Sequence, residues 1–259
     1  MKQEHSRKSY PFEYGFGAVT SGEKCVYLHL HEMPVSGVVA LSDVTEMVSS
    51  IEVLGSGRQL EFIREREQLV ITLPCMKENM AENGGTNNLW QEETVPVIKV
   101  SFEENVHEHT KRVIPLHGAM SLSPCDGTAL GNIAFRKSGA IDDGWTDTTG
   151  AITYELIAPG AGRYHLSMVS GLLDWKGRYC KGNRLMMTVN EKDYEFVLND
   201  DHLLDSYLRA YYVGFCSELG EIELKEGNNV LTLRVEEFAT GNEVGLPIMN
   251  LFVRKCEGN

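Results

Sequence analysis

Apolar and polar residues alternate with a period of two along much of the chain. In 25–31, Val26, Leu28 and Leu30 alternate with Tyr27, His29 and His31, and a pleated strand sends those two sets to opposite faces. Residues 69–73, 95–102, 151–157, 162–169, 185–189, 194–198 and 230–235 read the same way. All are rich in the β-branched and aromatic side chains that suit half-buried strands. Turn chemistry punctuates them: Ser-Gly at Ser21, Ser36 and Ser56, Asp-Gly at Asp126, Pro-Gly at Pro159, and Gly-Asn-Asn from Gly227. Short strands with regular turns predict an all-β chain of antiparallel β-sandwiches. Helical periodicity is strongest in 200–211, where Leu203, Leu204, Tyr207, Leu208 and Tyr211 follow an Asp200 cap. That pattern predicts one short helix or a single helical turn.

A polar, charged seam at 104–116 separates two strand-rich regions and predicts two domains, 1–110 and 111–259. The length of 259 residues alone admits two domains or one large one. A (β/α)₈ barrel would need eight helical segments that this chain lacks, and a Rossmann unit fails for the same reason. No GxGxxG or GxxxxGK[ST] phosphate loop occurs. A second polar stretch, 76–94, carries Trp90 and is longer than structureless connections usually are.

Composition narrows the partners. Hydrophobic residues make up 42% and charged residues 24%, an ordinary globular balance. The 37 Asp and Glu against 24 Lys and Arg give a net charge of -13, a sign that repels phosphate backbones and anionic lipid, so neither nucleic acid nor a membrane is an expected partner. The first fifteen residues hold no apolar run of signal-peptide length, so the chain as written is expected in the cytoplasm, and outside it if it is a piece of a longer secreted protein. The six cysteines, Cys25, Cys75, Cys125, Cys180, Cys216 and Cys256, are dispersed without a CxxC. They read as buried free thiols, with a disulfide or two as the alternative in a secreted setting.

Candidate chemistry is sparse. A glycosidase needs two carboxylates at a set separation, and adjacent pairs such as Asp142-Asp143 and Asp200-Asp201 read as turns or solvated faces. Asp142, Asp143 and Asp147 form a calcium loop on a minority reading, and no other cofactor is indicated. The pairs His29/His31 and His107/His109 share strand faces but lack a third ligand at metal spacing. No GxSxG elbow or Cys/His signature is present. The aromatics are more informative. Trp145, Trp175 and Tyr179 lie in Gly- and Asp-rich segments, where a ring on a loop stacks on a sugar face while a neighbour such as Asp174 accepts hydroxyl hydrogen bonds. Trp145 reads first as a core aromatic. Trp175 and Tyr179 stay open between the core and a ligand.

The string GFGAVTSGEKCVYLHL from Gly15, followed by Met33-Pro-Val-Ser-Gly, resembles the start of the C-terminal β-domain of α-L-fucosidases, glycoside hydrolase family 29. Residues 53–74 and 95–102 resemble its next segment and its closing strand. Phe16 and Met33 stand where that pattern has tryptophan, and 76–94 is an insertion. Pro115-Leu-His-Gly-Ala, Gly144-Trp-Thr-Asp, residues 158–164, 219–233 and 248–253 resemble the jelly-roll module appended to some bacterial members, itself similar to carbohydrate-binding sandwiches. Together the matches span nearly all of 11–255.

The resemblance implies two β-sandwiches, the second jelly-roll-like. It also implies no catalysis, because that family's nucleophile and acid/base carboxylates sit in a barrel and none falls on a position of this chain. The expected role is accessory, with carbohydrate such as a fucosylated glycan and a fucosidase barrel, in cis or in trans, as partners. Trp175, Tyr179, Asp174 and Trp145 are the candidate binding residues. The alternative is a structural protein that docks a separate chain and binds no glycan. An exposed apolar patch on 11–50 is a sign expected under both.

Overall fold

A computed structural model describes residues 17–30, 34, 36–65, 68–73, 96–107, 112–135, 141, 145–172, 180–204, 213–239 and 245–256. The chain divides into two compact units, Met1–Met120 and Ser121–Asn259. The first holds β1 (Gly17–Ser21), β2 (Cys25–Leu30), β3 (Val38–Ser42), β4 (Val48–Val53), β5 (Phe62–Glu65), β6 (Gln68–Thr72) and β7 (Val97–Phe102). They form a four-stranded sheet, β1-β2-β7-β4, and a three-stranded sheet, β3-β6-β5. Alternation does what the sequence requires: Val26 and Leu28 are fully buried and Leu30 nearly so, while Tyr27 and His29 stay partly exposed. They pack with Ile51, Leu69, Ile71, Ile98 and Val100 in one core.

The polar seam does not end the first unit. Gln68 is 2% exposed, donates Nε2–H to Ile114 O at 3.0 Å and accepts Leu116 N–H at 2.6 Å. A buried amide must be satisfied, and these two bonds tie the last residues of the seam, Ile114 and Leu116, to β6. The division accordingly falls after Met120.

The second unit contains β8 (Ala119–Leu122), which spans the division, then β9 (Thr128–Leu130), β10 (Ala151–Ala158), β11 (Gly162–Leu172) and β12 (Arg184–Val189). It continues through β13 (Lys192–Val197), β14 (His202–Leu204), β15 (Val213–Leu224), β16 (Gly227–Glu237) and β17 (Asn250–Lys255). Two five-stranded sheets result, β13-β12-β16-β10-β9 and β14-β15-β11-β17-β8, a jelly-roll-like arrangement of antiparallel strands. Trp145, Tyr154, Tyr164, Leu166, Leu231 and Leu233 are fully buried, and Tyr164 donates its hydroxyl to Gly160 O at 2.6 Å. The fold is all-β, as the period-two pattern predicts.

Two local expectations are corrected. No α-helix occurs among the described residues, and the helix expected over 200–211 begins as strand: Leu203 pairs with Phe215 and Leu204 with Gly214. Asp200 cannot cap a helix there. Its φ of 51° is left-handed rather than extended, and its Oδ2 accepts Lys181 N–H at 3.0 Å. Residues 205–212 lie outside the described set. The turn expected at Gly227 falls instead on Lys225 and Glu226, because Asn229 is drawn inside, 1% exposed. Its Nδ2 donates to Lys225 O and Gly227 O at 2.8 Å each, and its Oδ1 accepts Lys225 N–H at 3.1 Å and Asn190 Nδ2–H at 2.7 Å. One buried side chain thus ties the β15–β16 turn to the β12–β13 hairpin. That hairpin turns through Asn190 and Glu191 with φ of 45° and 78°, the left-handed pair that matches strand twist.

Candidate carbohydrate-binding site

Of the four sequence candidates, Trp145 is described and does not serve. It is fully buried, its indole N–H donates to Asp147 O at 3.1 Å, and its carbonyl accepts Leu246 N–H at 2.8 Å. A ring with no exposed surface cannot stack on a sugar, so Trp145 is the core aromatic that the sequence reading put first, and its candidacy for binding is withdrawn. Asp174, Trp175 and Tyr179 lie in 173–179, outside the described residues, as do Asp142 and Asp143 of the calcium reading. Asp147 spends its Oδ1 locally, on the Thr149 N–H at 2.9 Å and the Thr149 hydroxyl at 2.5 Å, and these bonds hold its carboxyl below the usual range. Among the described residues no group of three His, Cys, Asp or Glu side chains is placed to hold a metal ion.

What the structure does describe is the frame around the ends of 173–179. β11 ends at Leu172 opposite Val213, and β14 ends at Leu204 opposite Gly214. Leu172, Leu204 and Val213, the described residues that border 173–179 and 205–212 in sequence, therefore lie at one end of the β14-β15-β11 sheet. Both stretches are aromatic in sequence: Trp175 and Tyr179 in one, Tyr207, Tyr211 and Tyr212 in the other.

The far end of the first stretch is fixed by buried polar groups. Asn183, 1% exposed, donates its N–H to Cys180 O at 3.1 Å, accepts Leu198 N–H on its carbonyl at 3.0 Å and accepts Ala239 N–H on Oδ1 at 2.9 Å. Gly182 sits between at φ 90°, where a Cβ would come within 2.9 Å of the Ala239 Cβ. Ser217, fully buried, accepts Asp200 N–H at 2.9 Å, and Asp201 Oδ2 accepts Glu218 N–H at 2.8 Å. Glu218 is where β15 bulges against β11, with Leu219 as the extra residue.

Two groups here are shifted from their ordinary proton affinities. Burial pushes the Cys180 thiol up to about 12, so it is an inert packing group rather than a nucleophile. Burial also raises the Asp200 carboxyl, partly offset by the Lys181 N–H, and its Oδ1 is buried with no hydrogen-bond partner. The arrangement holds a nucleophile-and-base pair nowhere in the described frame. Its chemistry is positional: it sets where aromatic segments begin and end. Sequence reasoning missed Asn183 and Asp200 as fixing residues. The adjacent Asp200-Asp201 pair was the visible signal, whereas a single Asn after Lys-Gly carries none.

The first unit holds a different polar cluster. Glu46, 3% exposed, accepts His107 N–H at 2.8 Å and faces His107 Nδ1 at 2.7 Å through the same oxygen, while its Oε2 accepts Thr45 N–H at 3.0 Å. Asp43 Oδ2 lies 3.4 Å from His107 Nε2. Arg64 donates to Val44 O at 2.6 Å and Glu46 O at 2.5 Å. Burial opposes charge on both titrating partners, but the mutual contacts win: His107 is raised and Glu46 lowered. His109 of the expected pair is outside the described residues, as is His31, and His29 contacts Thr20 Oγ1 at 3.1 Å. Cys25, Cys125, Cys180, Cys216 and Cys256 are free, and of these Cys180 is buried and Cys125 exposed.

No protein-family model matches the chain, and no curated protein matches it. Solved structures do. An α-L-fucosidase from Vibrio sp. strain EJY3 superposes with a TM-score of 0.66 at 13% identity, over 96% of this chain and 41% of that one. The CBM35 from Cellvibrio japonicus Abf62 covers 55% of this chain and 99% of its own at 20% identity, with a TM-score of 0.34. α-L-Fucosidase isoenzyme 1 from Paenibacillus thiaminolyticus covers 36% and 20% at 16% identity, with a TM-score of 0.26. The chain thus spans about two fifths of the Vibrio enzyme's length, and over that part its fold resembles the C-terminal β-domains of a family 29 α-L-fucosidase.

Proposed function

We propose that this chain is the non-catalytic C-terminal region of an α-L-fucosidase-like glycoside hydrolase, and that its second unit binds carbohydrate through Trp175, Tyr179 and Asp174. The observation that carries this reading is the strand register that brings Leu172, Leu204 and Val213, which border the aromatic sequences 173–179 and 205–212, to one end of the β14-β15-β11 sheet. Aromatic rings stack on the C–H faces of sugars, and a carboxylate accepts vicinal hydroxyls. The frame of Asn183, Ser217 and Asp200 fixes the ends of those segments before a ligand arrives, which limits the ordering cost of binding. Isothermal titration with fucosylated oligosaccharides tests it. Binding in the millimolar range, lost in Trp175→Ala, supports the reading, and heats indistinguishable from dilution across the panel sink it. Turnover of an aryl fucoside by the pure chain would overturn the non-catalytic assignment.

The first unit supports a docking role toward a catalytic barrel, in cis or in trans. On 17–50, Met47 is the large hydrophobic left exposed among the described residues, at 60%. Ile63, at 63%, and Phe62, at 40%, are exposed on β5, an edge strand. This is the observation that also favours the second reading, a protein that docks a separate chain and binds no glycan.

A further inference from the structure

A row of hydroxyls crosses the β13-β12-β16-β10-β9 sheet. The pairings Thr128 with Thr153, Thr153 with Thr232, Thr232 with Thr188, and Thr188 with Asp193 set one residue from every strand in register. All lie on the face opposite the core, because Leu185, Met187, Leu231 and Leu233 on the alternate positions of β12 and β16 are buried. Threonine suits exposed strand positions in any sheet, so composition alone means little. The bonding says more. Thr153 and Thr232 share one hydrogen bond at 3.0 Å, while Thr188 donates to Asp193 Oδ1 at 2.6 Å and accepts from Arg234 Nη2 at 2.8 Å. Neighbouring strands lie about 4.8 Å apart, so the row is a ruled line of donors and acceptors at that interval.

At one side the row opens into a concavity of about 570 Å³ lined by Thr188, Asn190, Glu191, Lys225, Val230 and Thr232. Two of its walls are turns, Asn190-Glu191 and Lys225, and Asn229 holds both to one another from the buried side. Asn190 Oδ1 accepts Val230 N–H at 3.1 Å, which closes the bracket. The site is therefore shaped before any ligand enters. Its floor carries an exposed apolar residue, Val230 at 43%, between hydroxyl, amide, carboxylate and ammonium groups. That mixture fits a neutral polyhydroxylated chain, whose C–H faces need an apolar contact and whose hydroxyls both give and accept hydrogen bonds. It does not fit a polyanion, given Glu191 and Asp193 at the site and the chain's charge of -13.

We propose that this concavity and the adjoining threonine row form a second carbohydrate-binding surface, separate from 173–179, that takes a neutral glycan chain by hydrogen bonding rather than by ring stacking. It stands without the loop reading, since none of the described residues that line it is aromatic.

The test is amide chemical-shift mapping on the full chain with xylohexaose, mannohexaose and cellohexaose, each at about 5 mM, a few-fold above the millimolar Kd of a shallow site. At least one probe shifts the amides of Thr188, Asn190, Val230 and Thr232. Those shifts persist in Trp175→Ala, and Glu191→Gln weakens them about tenfold. Thr232→Val, which keeps the branched shape and deletes the hydroxyl, weakens them as well. Shifts confined to 180–183 and 200 would overturn this surface while leaving the loop reading intact. No shift anywhere would overturn both. Shifts on the row that neither substitution alters would also overturn the proposal.

Discussion

The two units bury polarity in different forms. In the first, the buried polar side chains include Asp43 and Glu46, held against His107, beside the neutral Ser42 and Gln68. In the second, those among the described residues are all neutral: Ser121, Ser170, Asn183, Ser217 and Asn229. Its ion pairs are outside, as in Arg163–Glu221 with side chains 65% and 42% exposed and Lys192–Glu223 at 58% and 66%. A buried charge ties stability to pH, whereas a buried amide ties stability to geometry alone. The first unit is built to hold one arrangement within a window of pH. The second holds its turns by amides that do not titrate, with the half-buried Asp200 as the titrating exception at its loop ends, and both candidate sugar surfaces rest on a buried amide, Asn183 at one and Asn229 at the other.

The largest effects should respect the division into units. Trp145→Ala empties a fully buried ring site and costs the second unit about 3–5 kcal/mol, and Leu28→Ala costs the first about 2–5 kcal/mol. Urea unfolding followed by pulse hydrogen exchange on peptides from each unit separates the two. Equal loss of protection in both units after either change would break the comparison.

Next comes the clasp. The raised His107 contributes stability that is complete below its ordinary 6.5 and is lost as pH rises through its higher folded value. The lowered Glu46 contributes stability that is present above its ordinary 4.5 and is lost as pH falls through its lower folded value. The first unit is accordingly most stable between those two ordinary values, and His107→Gln removes the fall on the alkaline side. Its cost near pH 6 is about 1–3 kcal/mol, below that of a fully buried pair because the ring is 37% exposed. A stability profile of the first unit that is flat from pH 5 to 8 in the unaltered chain would contradict this.

Comparable in size but independent of pH is Asn229→Ala, which leaves Lys225 and Asn190 groups without their partner and costs the second unit about 1–3 kcal/mol. A cost that varies with pH would mean that this turn is coupled to a titrating group. Smallest is Arg163→Ala, which removes an exposed pair and changes stability by under about 0.5 kcal/mol.

Strands with one buried face were legible in the chain. Alternation in 25–31 marks β2 because its sheet turns one face to the core and the other outward, and the same holds for β7, β10, β12 and β16. β5, FIRE, is exposed at all four positions, so no period marks it. β15 escapes because its bulge at Leu219 shifts the phase of alternation midway. The helix expected over 200–211 fails at 202–204 because the pairing of these residues depends on β15, which the local pattern does not show. Trp145 reads first as a core aromatic and is buried; its lesser, binding reading comes from Gly and Asp neighbours that signal loops, yet loops can carry a side chain into the core. The buried amides could not be read at all: Asn183 and Asn229 follow Gly or Asn in sequence as any turn residue does, and only their long-range partners give them weight.

Carbohydrate binding by the second unit is the central claim, and titration calorimetry of the full chain with a panel of fucosylated and neutral oligosaccharides at pH 5 and pH 7.5 addresses it most directly. The account predicts saturable binding with at least one glycan at about millimolar Kd, nearly equal at the two pH values, and reduced by Trp175→Ala or Glu191→Gln according to the surface engaged. Absence of saturable heat with every glycan, from chain shown to be folded in both units, would contradict it.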